Sequence, residues 1–549
     1  MSDLVTKVLT HFESLKAERD PWANEVEEVL KYIIPSRANM SVTTETRQYT
    51  VDRDSRDGTA RASAYLMANG LLGNVCSQRS AWFKLKPELP QHLKIPGLGE
   101  WLESIEQVFY HFFNNSSFYA SAWQVFLDAA TSGLGSMMVS ENKADKSIEF
   151  TTYAPKGAYI ATDAKNHVDT YFHHFTLTAR DILAEYENEN LTEAFMNQAE
   201  KKPFQRHEII QAIFPRKDRD IYKIDAVNKP FASIHVLKGQ KILLRESGYD
   251  SFPMAVFRYA YDSEEVYPHS PSIDGYADIQ RLNRISKATT DLAQLIAKPP
   301  TVVPAEMYNE YKMVPDFKIK GYDMNRIPQP LNTGQGYPIG RDREEYYREI
   351  VKDHYFTNHF MMLAASEGQQ MTATEVMERQ GEKATVIGGM VSRLTRGFLD
   401  PTFERMFIIA AQNKWIPYPP EEVLASGIAL SMDYLGPLAQ AQQRFLRLQG
   451  PMSSLQNFLP LLEAYPEMRD ILKPFDLGSH ILTEGGMPQS ILRDDRAFGE
   501  LQQQKQRQAQ EAQAAEIMEK EASAMNKGAK APEEGSPTDL MLQGLASGQ

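Results

Sequence analysis

The sequence contains a single cysteine, and this scarcity limits its chemistry. Cys76 is the one thiol among 549 residues. One cysteine cannot form an intrachain disulfide, nor can it supply the several thiolates of a zinc or iron–sulfur site. Because Cys76 lies in the apolar stretch 71–76, we expect a buried, inert thiol rather than a nucleophile. No cofactor and no metal site is predicted.

Long hydrophobic runs are also missing. No stretch approaches the roughly 18 uninterrupted apolar residues of a membrane-spanning helix, and residues 1–4 do not begin a signal peptide. We therefore expect no membrane association and a protein made in a cytoplasm-like compartment. The hydrophobic content of 42% is enough for several packed cores, in two to four domains or lobes.

Positive charge is not in excess. The chain has 59 Lys and Arg against 72 Asp and Glu, a formal net charge of −13. Tight binding of phosphates normally requires a basic surface, so any contact with DNA is expected to be weak or local.

Catalytic motifs are absent as well. The sequence has no GxxxxGK[ST], no GxSxG and no HExxH. The pair His173–His174 lies in a predicted strand without a third ligand at metal spacing, so packing or solvent exposure is the expected role. Acidic clusters such as Glu25, Glu27 and Glu28 lie on predicted helix surfaces. We predict that the protein is not an enzyme.

The pattern of apolar residues predicts an α+β protein that is predominantly α-helical. Helices are predicted over 4–15, 22–33, 58–74, 99–114 and 120–133, with Asp20 and Pro21 separating the first two and a strand at 81–87. Short β-type runs then occur at 136–139, 147–151, 170–175 and 209–214, with a helical insertion at 178–186. This order predicts an α+β lobe rather than a parallel βαβ sheet.

From residue 270 onward the predicted order is helix, β-rich segment, helix, loop and very long helix. Ser270 and Pro271 begin a helix that ends at Ala297, before Pro299. A segment of β character covers 301–340. Capping-box spacings then begin two helices. The first, from Asp342 and Glu345 to about Met361, has the predicted inward face Tyr347, Ile350, Val351, His354 and Met361. The second, from Thr372 and Glu375 to about Lys414, follows a loop at 363–371 and is expected to bend near Gly388–Gly389 and Pro401.

Several dispersed motifs carry a family resemblance. The string 370–379, QMTATEVMER, followed by Gly388–Gly389 and Arg393–Leu394, resembles the signature segment of the portal, or head-to-tail connector, proteins of short-tailed, podovirus-type bacteriophages. Further matches cover most of the chain from about 15 to 500: residues 22–35, 270–272, 282–283, 298–300, 436–442 and 485–488.

The resemblance implies an organisation named after the parts of a portal. Its segments are an N-terminal helical and α+β wing lobe at 1–269, a first stem helix at 270–300, a clip at 301–340, a second stem helix at 341–362, a tunnel loop at 363–371, a long helix and wing return at 372–434, a helical crown at 435–525 and a disordered tail at 526–549.

The resemblance also implies a function. Portal subunits form a homo-oligomeric ring, commonly of twelve, at one capsid vertex of the virion. Double-stranded DNA passes through it, without sequence specificity, during packaging and ejection. The implied partners are a terminase packaging motor, which must supply the ATP hydrolysis, the major capsid protein, a scaffolding protein and tail adaptor proteins.

Candidate site residues follow from that organisation. A tunnel loop that touches DNA would contain Ser366, Glu367, Gly368, Gln369 and Gln370. Cations of the channel or stem would be Arg281, Arg284, Lys287, Arg341, Arg343 and Arg348, and cations of the clip would be Lys318 and Lys320. Solvated helix faces or ion pairs between subunits are the alternative for the stem cations, and a mere connecting loop is the alternative for 366–370.

Two other functions stay open from the sequence. A tail adaptor or an ejected internal protein would also be acidic and catalytically empty, but it would not need the arrangement over 270–372. A nuclease or packaging enzyme would require a metal-binding cluster of carboxylates.

Overall fold

A computed structural model describes residues 2–40, 55–298 with gaps at 90, 93–94, 96, 144, 187–190 and 224, and then 301–302, 329–330, 337–365, 387–426 and 429–434. The chain forms two compact units, Met1–Leu446 and Arg447–Gln549. In the second unit the described residues are Gln504, Lys505, Arg507, Gln508 and Ile517, which are helical and exposed.

The N-terminal residues form one long helix, α1 (Ser2–Ile33), with Pro21 inside it. The prediction of two helices separated at Asp20 and Pro21 is therefore wrong. Apolar residues on both sides of the proline keep the same helical phase, so each half buries its face. Phe12 packs in the first half and Val26 in the second, both with no exposed surface. This burial outweighs the hydrogen bond that proline cannot donate, a loss of about 3 kcal/mol.

The largest core surrounds a group of aromatic side chains. It is built by α2 (Thr59–Val75), β1 (Phe83–Pro87), α3 (Leu98–Asn114) and α4 (Phe118–Ser132), all predicted to within two residues of their observed ends. The strand β1 pairs antiparallel with β12 (Leu430–Tyr434). Trp82 and Phe83 lie at the centre of this core with no exposed surface.

Two antiparallel sheets form the α+β lobe. The first has the order β3-β2-β9, with β2 (Leu134–Asn142), β3 (Ser147–Tyr153) and β9 (Met254–Arg258). The second is a meander of β4 (Ala158–Thr162), β5 (Val168–Thr178), β6 (Arg206–Pro215), β7 (Phe231–Leu237) and β8 (Ile242–Tyr249). Two helices, α5 (Ala179–Glu185) and α6 (Glu193–Lys201), lie between β5 and β6. The four predicted strands are confirmed, and no parallel βαβ sheet occurs in the described residues of this lobe, as predicted.

A helical hairpin follows the lobe. A single turn, α7 (Pro271–Asp274), precedes α8 (Tyr276–Ala297), so the predicted helix from 270 to 297 is divided at Gly275. Next come the short antiparallel strands β10 (Thr301–Val302) and β11 (Gln329–Pro330). The chain then returns through α9 (Tyr337–His354) and α10 (Thr357–Ala365).

The returning helices correct three predictions. The helix α9 begins five residues before Asp342, so Asp342 and Glu345 do not form its cap. A break separates α9 from α10, where Phe356 adopts a left-handed φ of 54°. This break rotates the following residues, and Met361 is 55% exposed instead of facing inward, while Val351 is buried as predicted. Residues 363–365, predicted as loop, belong to α10.

The long C-terminal helix of the first unit is helical throughout its described part. It consists of α11 (387–394), a π-helical turn (Thr395–Leu399) and α12 (Asp400–Gln412), and a short α13 (Glu421–Ser426) follows. Pro401 is the second residue of α12, close behind the wider π turn, where its missing N–H is tolerated. None of the helices in the described residues is both long and apolar enough to cross a membrane.

Candidate functional site: the stem helices and their anchors

The helices α8 and α9 pack against each other in opposite directions. Near one end, His354 Nε2 lies 3.2 Å from Asp278 Oδ2. Near the other end, a Cβ on Gly340 would come within 3.0 Å of Thr289 Oγ1. Residues early in α8 therefore meet residues late in α9, as in an antiparallel hairpin. The sequence predicted this pair of long helices around a β-containing excursion.

One side of α8 is buried and the opposite side is charged. Five residues at helical spacing are buried: Ile279, Leu282, Asn283, Ser286 and Thr289. Arg281, Arg284 and Lys287 recur every third residue on the exposed side. Such segregation is that of a helix with one face on protein and one face toward solvent or a partner.

The predicted cations differ in whether a carboxylate of the same chain pairs with them. Arg281 is paired with Asp278 at 3.0 Å. Arg284 and Lys287 are exposed and form no ion pair with any residue that the structure describes. The same is true of Arg341 and Arg343 at the start of α9, where Arg341 also lines a cleft of about 740 Å³ between the two helices.

Arg348 is different, because it belongs to a network inside the chain. Its Nε donates to Asp57 Oδ2 at 3.0 Å, and its Nη2 donates to Glu344 Oε1 at 2.8 Å. Burial by itself lowers the pKa of Arg348, but the hydrogen bond and charge of Asp57 and the charge of Glu344 outweigh it and raise the pKa. Its cationic charge is thus neutralised within the subunit.

A buried amide completes this anchor. Asn283 Oδ1 accepts the backbone N–H groups of Arg56 (2.6 Å) and Asp57 (3.1 Å), and its Nδ2 donates to the carbonyl of Ile279 (2.8 Å). The Asp57 side chain also accepts the N–H of Thr59 at the first residue of α2 (2.8 Å). The segment before α2 therefore connects both α8 and α9 to the main core. We call Asp57, Asn283 and Arg348 the stem anchor.

Sequence reasoning missed the role of Asp57 and Asn283. Asp57 is 291 positions from Arg348. No spacing rule joins such distant positions. A polar Asn283 within the apolar stripe of a predicted helix was the available signal, because a buried amide needs partners.

A second anchor lies at the base of the hairpin. Ser270 accepts the N–H of Ile273 (3.0 Å) as the predicted helix cap and donates to the carbonyl of Thr131 (3.0 Å). Ser272 lies 2.8 Å from the carbonyl of Ala130 and 2.7 Å from the hydroxyl of Tyr355. Burial raises the pKa of Tyr355, so its hydroxyl stays protonated. These bonds fasten the start of α7 and the residue that follows α9 to α4.

The remaining predicted residues are placed as follows. The tunnel-loop residues Ser366, Glu367, Gly368, Gln369 and Gln370 and the clip lysines Lys318 and Lys320 lie outside the described residues. His174 is buried and bonded to Glu208 at 3.0 Å, and His173 stacks on Tyr153, so their packing role is confirmed. Cys76 is buried, and burial raises the pKa of its thiol, as expected for an inert cysteine. No group of potential metal ligands is present among the described side chains.

Comparison with known proteins adds an independent line of evidence. The chain is 27% identical to the portal protein of Salmonella phage epsilon15 over 530 residues, which cover 92% of each protein. It is 24% identical to the probable portal protein of Bordetella phage BPP-1 over 490 residues, 85% of this chain and 84% of that protein. The family model for the bacteriophage head to tail connecting protein matches residues 5–492. The resemblance found in the sequence is confirmed, and the chain belongs to the family of bacteriophage head to tail connecting proteins.

Proposed function

We propose that this chain is the portal subunit of a phage virion. Copies of it would form a closed ring, with twelve subunits as the family resemblance implies, at one vertex of the capsid. The ring would serve as the conduit through which double-stranded DNA enters and leaves. It would carry no catalytic site, so the energy for packaging would come from a terminase motor that docks on it.

The observation that carries the proposal is the firmly anchored antiparallel pair α8 and α9. The stem anchor and the Ser272–Tyr355 contact hold both helices on the main core, while Arg284 and Lys287 remain exposed on the other side of α8. A head-to-tail ring closes only if every subunit meets the next at the same angle. Rigidly mounted helices are suited to fix that angle.

The charge distribution suits a conduit. DNA must slide in both directions, and a strongly basic wall would hold its phosphates. A chain of net charge −13 with a few free cations on α8 and at the start of α9 would make brief contacts instead. We assign Arg284, Lys287, Arg341 and Arg343 to the DNA-facing side, with Arg281 partly neutralised by Asp278 and Arg348 assigned to the stem anchor.

Other segments receive their roles from the family resemblance. In this proposal 301–340 forms the clip, with Lys318 and Lys320, and 366–370 forms the tunnel loop that touches DNA. Residues 435–525 form the crown. The major capsid protein, a scaffolding protein and tail adaptors are the further partners of the ring.

The proposal predicts a packaging defect when the free cations of α8 are reversed. In the phage that encodes this chain, Arg284→Glu with Lys287→Glu is expected to leave ring assembly intact and to reduce DNA-filled heads several-fold, because carboxylates repel the passing phosphates. DNA-filled and empty heads can be counted after separation by density.

The matched control is Lys201→Glu with Lys202→Glu, two exposed lysines at the end of α6 with the same change of charge. It should package like the wild type. If both variants package equally, the α8 cations do not face the channel. If heads fill with DNA without any copy of the protein, the protein is not the conduit.

A further inference from the structure

A cleft of about 820 Å³ lies between the α+β lobe and the long C-terminal helix of the first unit, and its walls are rich in cations. We call it the arginine cleft. Its positively charged lining comprises Lys165, Arg258, Arg393, Arg396 and Arg405. Its acidic lining comprises Asp250, which is already paired with Lys229 at 2.9 Å, and the exposed Glu404.

Two of these arginines are buried without a counter-ion. Arg258 is 6% exposed and Arg405 is 7% exposed. Arg258 donates to the side chain and carbonyl of Asn166 and to the carbonyl of Val266, and Arg405 donates to Ser251 and to the carbonyl of Val139. Neither has a carboxylate within ion-pair distance among the described residues. Buried cations are normally paired, so this cleft is suited to an anionic ligand.

The exposed cations of the cleft also lack a carboxylate partner among the described residues. Lys165 and Arg396 form no ion pair with any described residue, and both are exposed. Arg393 uses its Nε on the carbonyl of Tyr259, which leaves its terminal nitrogens available. A space of about 820 Å³ exceeds what one small anion fills, so it can accept several side chains at once.

The same chain carries an acidic surface that matches the cleft. On the exposed side of α1, Glu18 and Glu25 form no ion pair with any part of the chain that the structure describes. Glu18 and Glu25 are two helical turns apart, so they lie above one another about 10 Å apart. No residue of α1 lines the arginine cleft, so this acidic face does not neutralise it within one subunit.

The cleft and the acidic helix share one core. Trp22 and Val26, on the buried side of α1, pack in the same cluster as Met254 and Val256, which also line the cleft. The two surfaces are therefore held in a fixed relation. A head-to-tail ring contact joins two different surfaces of the same subunit, and a basic surface and an acidic surface at different places on a rigid subunit are complementary in this way.

We propose that the acidic face of α1, with Glu18 and Glu25, occupies the arginine cleft of the neighbouring copy of this chain. This inference rests on the proposed ring, and it names a contact that holds neighbouring subunits. A duplex DNA is the weaker alternative ligand, because the net charge of −13 repels it from the surface around the cleft.

A charge exchange tests the contact. The cleft variant Lys165→Glu with Arg396→Glu, and the helix variant Glu18→Lys with Glu25→Lys, should each raise the protein concentration needed for half-maximal ring assembly on the order of ten-fold. With all four substitutions in one chain, opposite charges face each other again and assembly should return toward the wild-type concentration. Analytical ultracentrifugation of the full chain measures assembly directly.

The control is Lys217→Glu with Arg219→Glu, which makes the same change of charge at two exposed residues outside the cleft. It should assemble like the wild type. A cleft variant that assembles normally would overturn the inference, and so would a four-substitution chain that stays unassembled. If all variants form rings equally well, this contact is not the one that holds neighbouring subunits, but the proposed function still stands. A wild-type chain that forms no ring would contradict both.

Discussion

Replacing Asp57 with alanine is expected to lower the free energy of unfolding of the first unit by about 3 kcal/mol. The Asp57 side chain is 5% exposed and Arg348 is 36% exposed, so the substitution removes the more buried of its two close carboxylates and leaves Glu344 as the remaining close partner. It also removes the acceptor for the N–H of Thr59, a hydrogen bond that contributes about 1 kcal/mol of that total. Denaturant unfolding, followed by tryptophan fluorescence, measures the change.

A neighbouring carboxylate provides the control for the stem anchor. Glu345 is 65% exposed and lies 3.7 Å from Arg348, so Glu345→Ala should cost less than about 0.5 kcal/mol. A double-mutant cycle of Asp57→Ala with Arg348→Ala should give a coupling energy of about 1–3 kcal/mol. Additive effects of the two substitutions would show that the anchor does not join α9 to the segment before α2.

Trp82→Ala is expected to destabilise the first unit by about 4 kcal/mol, the largest loss for a single substitution. The indole has no exposed surface, and its ring lies 5.3 Å from that of Phe113, 6.0 Å from that of Phe118 and 5.6 Å from that of Phe403. These side chains come from α3, α4 and α12. Removing the indole leaves a cavity where the three helices meet, and it shifts the midpoint of chemical unfolding.

Two comparisons sharpen this second prediction. Trp82→Phe keeps most of the contacts and should cost clearly less than the alanine substitution. Tyr222→Ala removes an aromatic ring that is 96% exposed and should change stability by less than about 0.5 kcal/mol. A loss for Trp82→Ala no greater than that for Tyr222→Ala would show that the aromatic core does not hold these helices together.

The sequence predicted those parts of the fold that local patterns determine. Short β-type runs at 147–151 and 209–214 identified strands, and the serine–proline pair at 270–271 identified a helix start. Pro21 led to the wrong prediction of a helix break. The free energy that a proline costs inside a helix is smaller here than the free energy gained by burying apolar side chains on both sides of it. Met361 was wrongly placed inward because the break at Phe356 cannot be recognised from helical spacing.

The sites depend on contacts between distant positions, and this limited what sequence could predict. The cations of α8 were predicted from the portal-like organisation of the chain, whereas the partners of Arg348 were not predicted. The arginine cleft gathers residues from 165, 258, 393–396 and 405, which no motif connects. Family resemblance supplied the organisation of the chain, but only the packing distinguishes an arginine that is already paired from one that is free.

Electron cryo-microscopy of the purified full-length protein tests the central claim most directly. The account predicts closed rings with a central hole, in which α8 faces the hole and places Arg284 and Lys287 toward it, while α1 of each subunit touches the next. Monomers or open, irregular aggregates under every salt condition would contradict it. So would closed rings in which α8 and α9 lie on the outer rim.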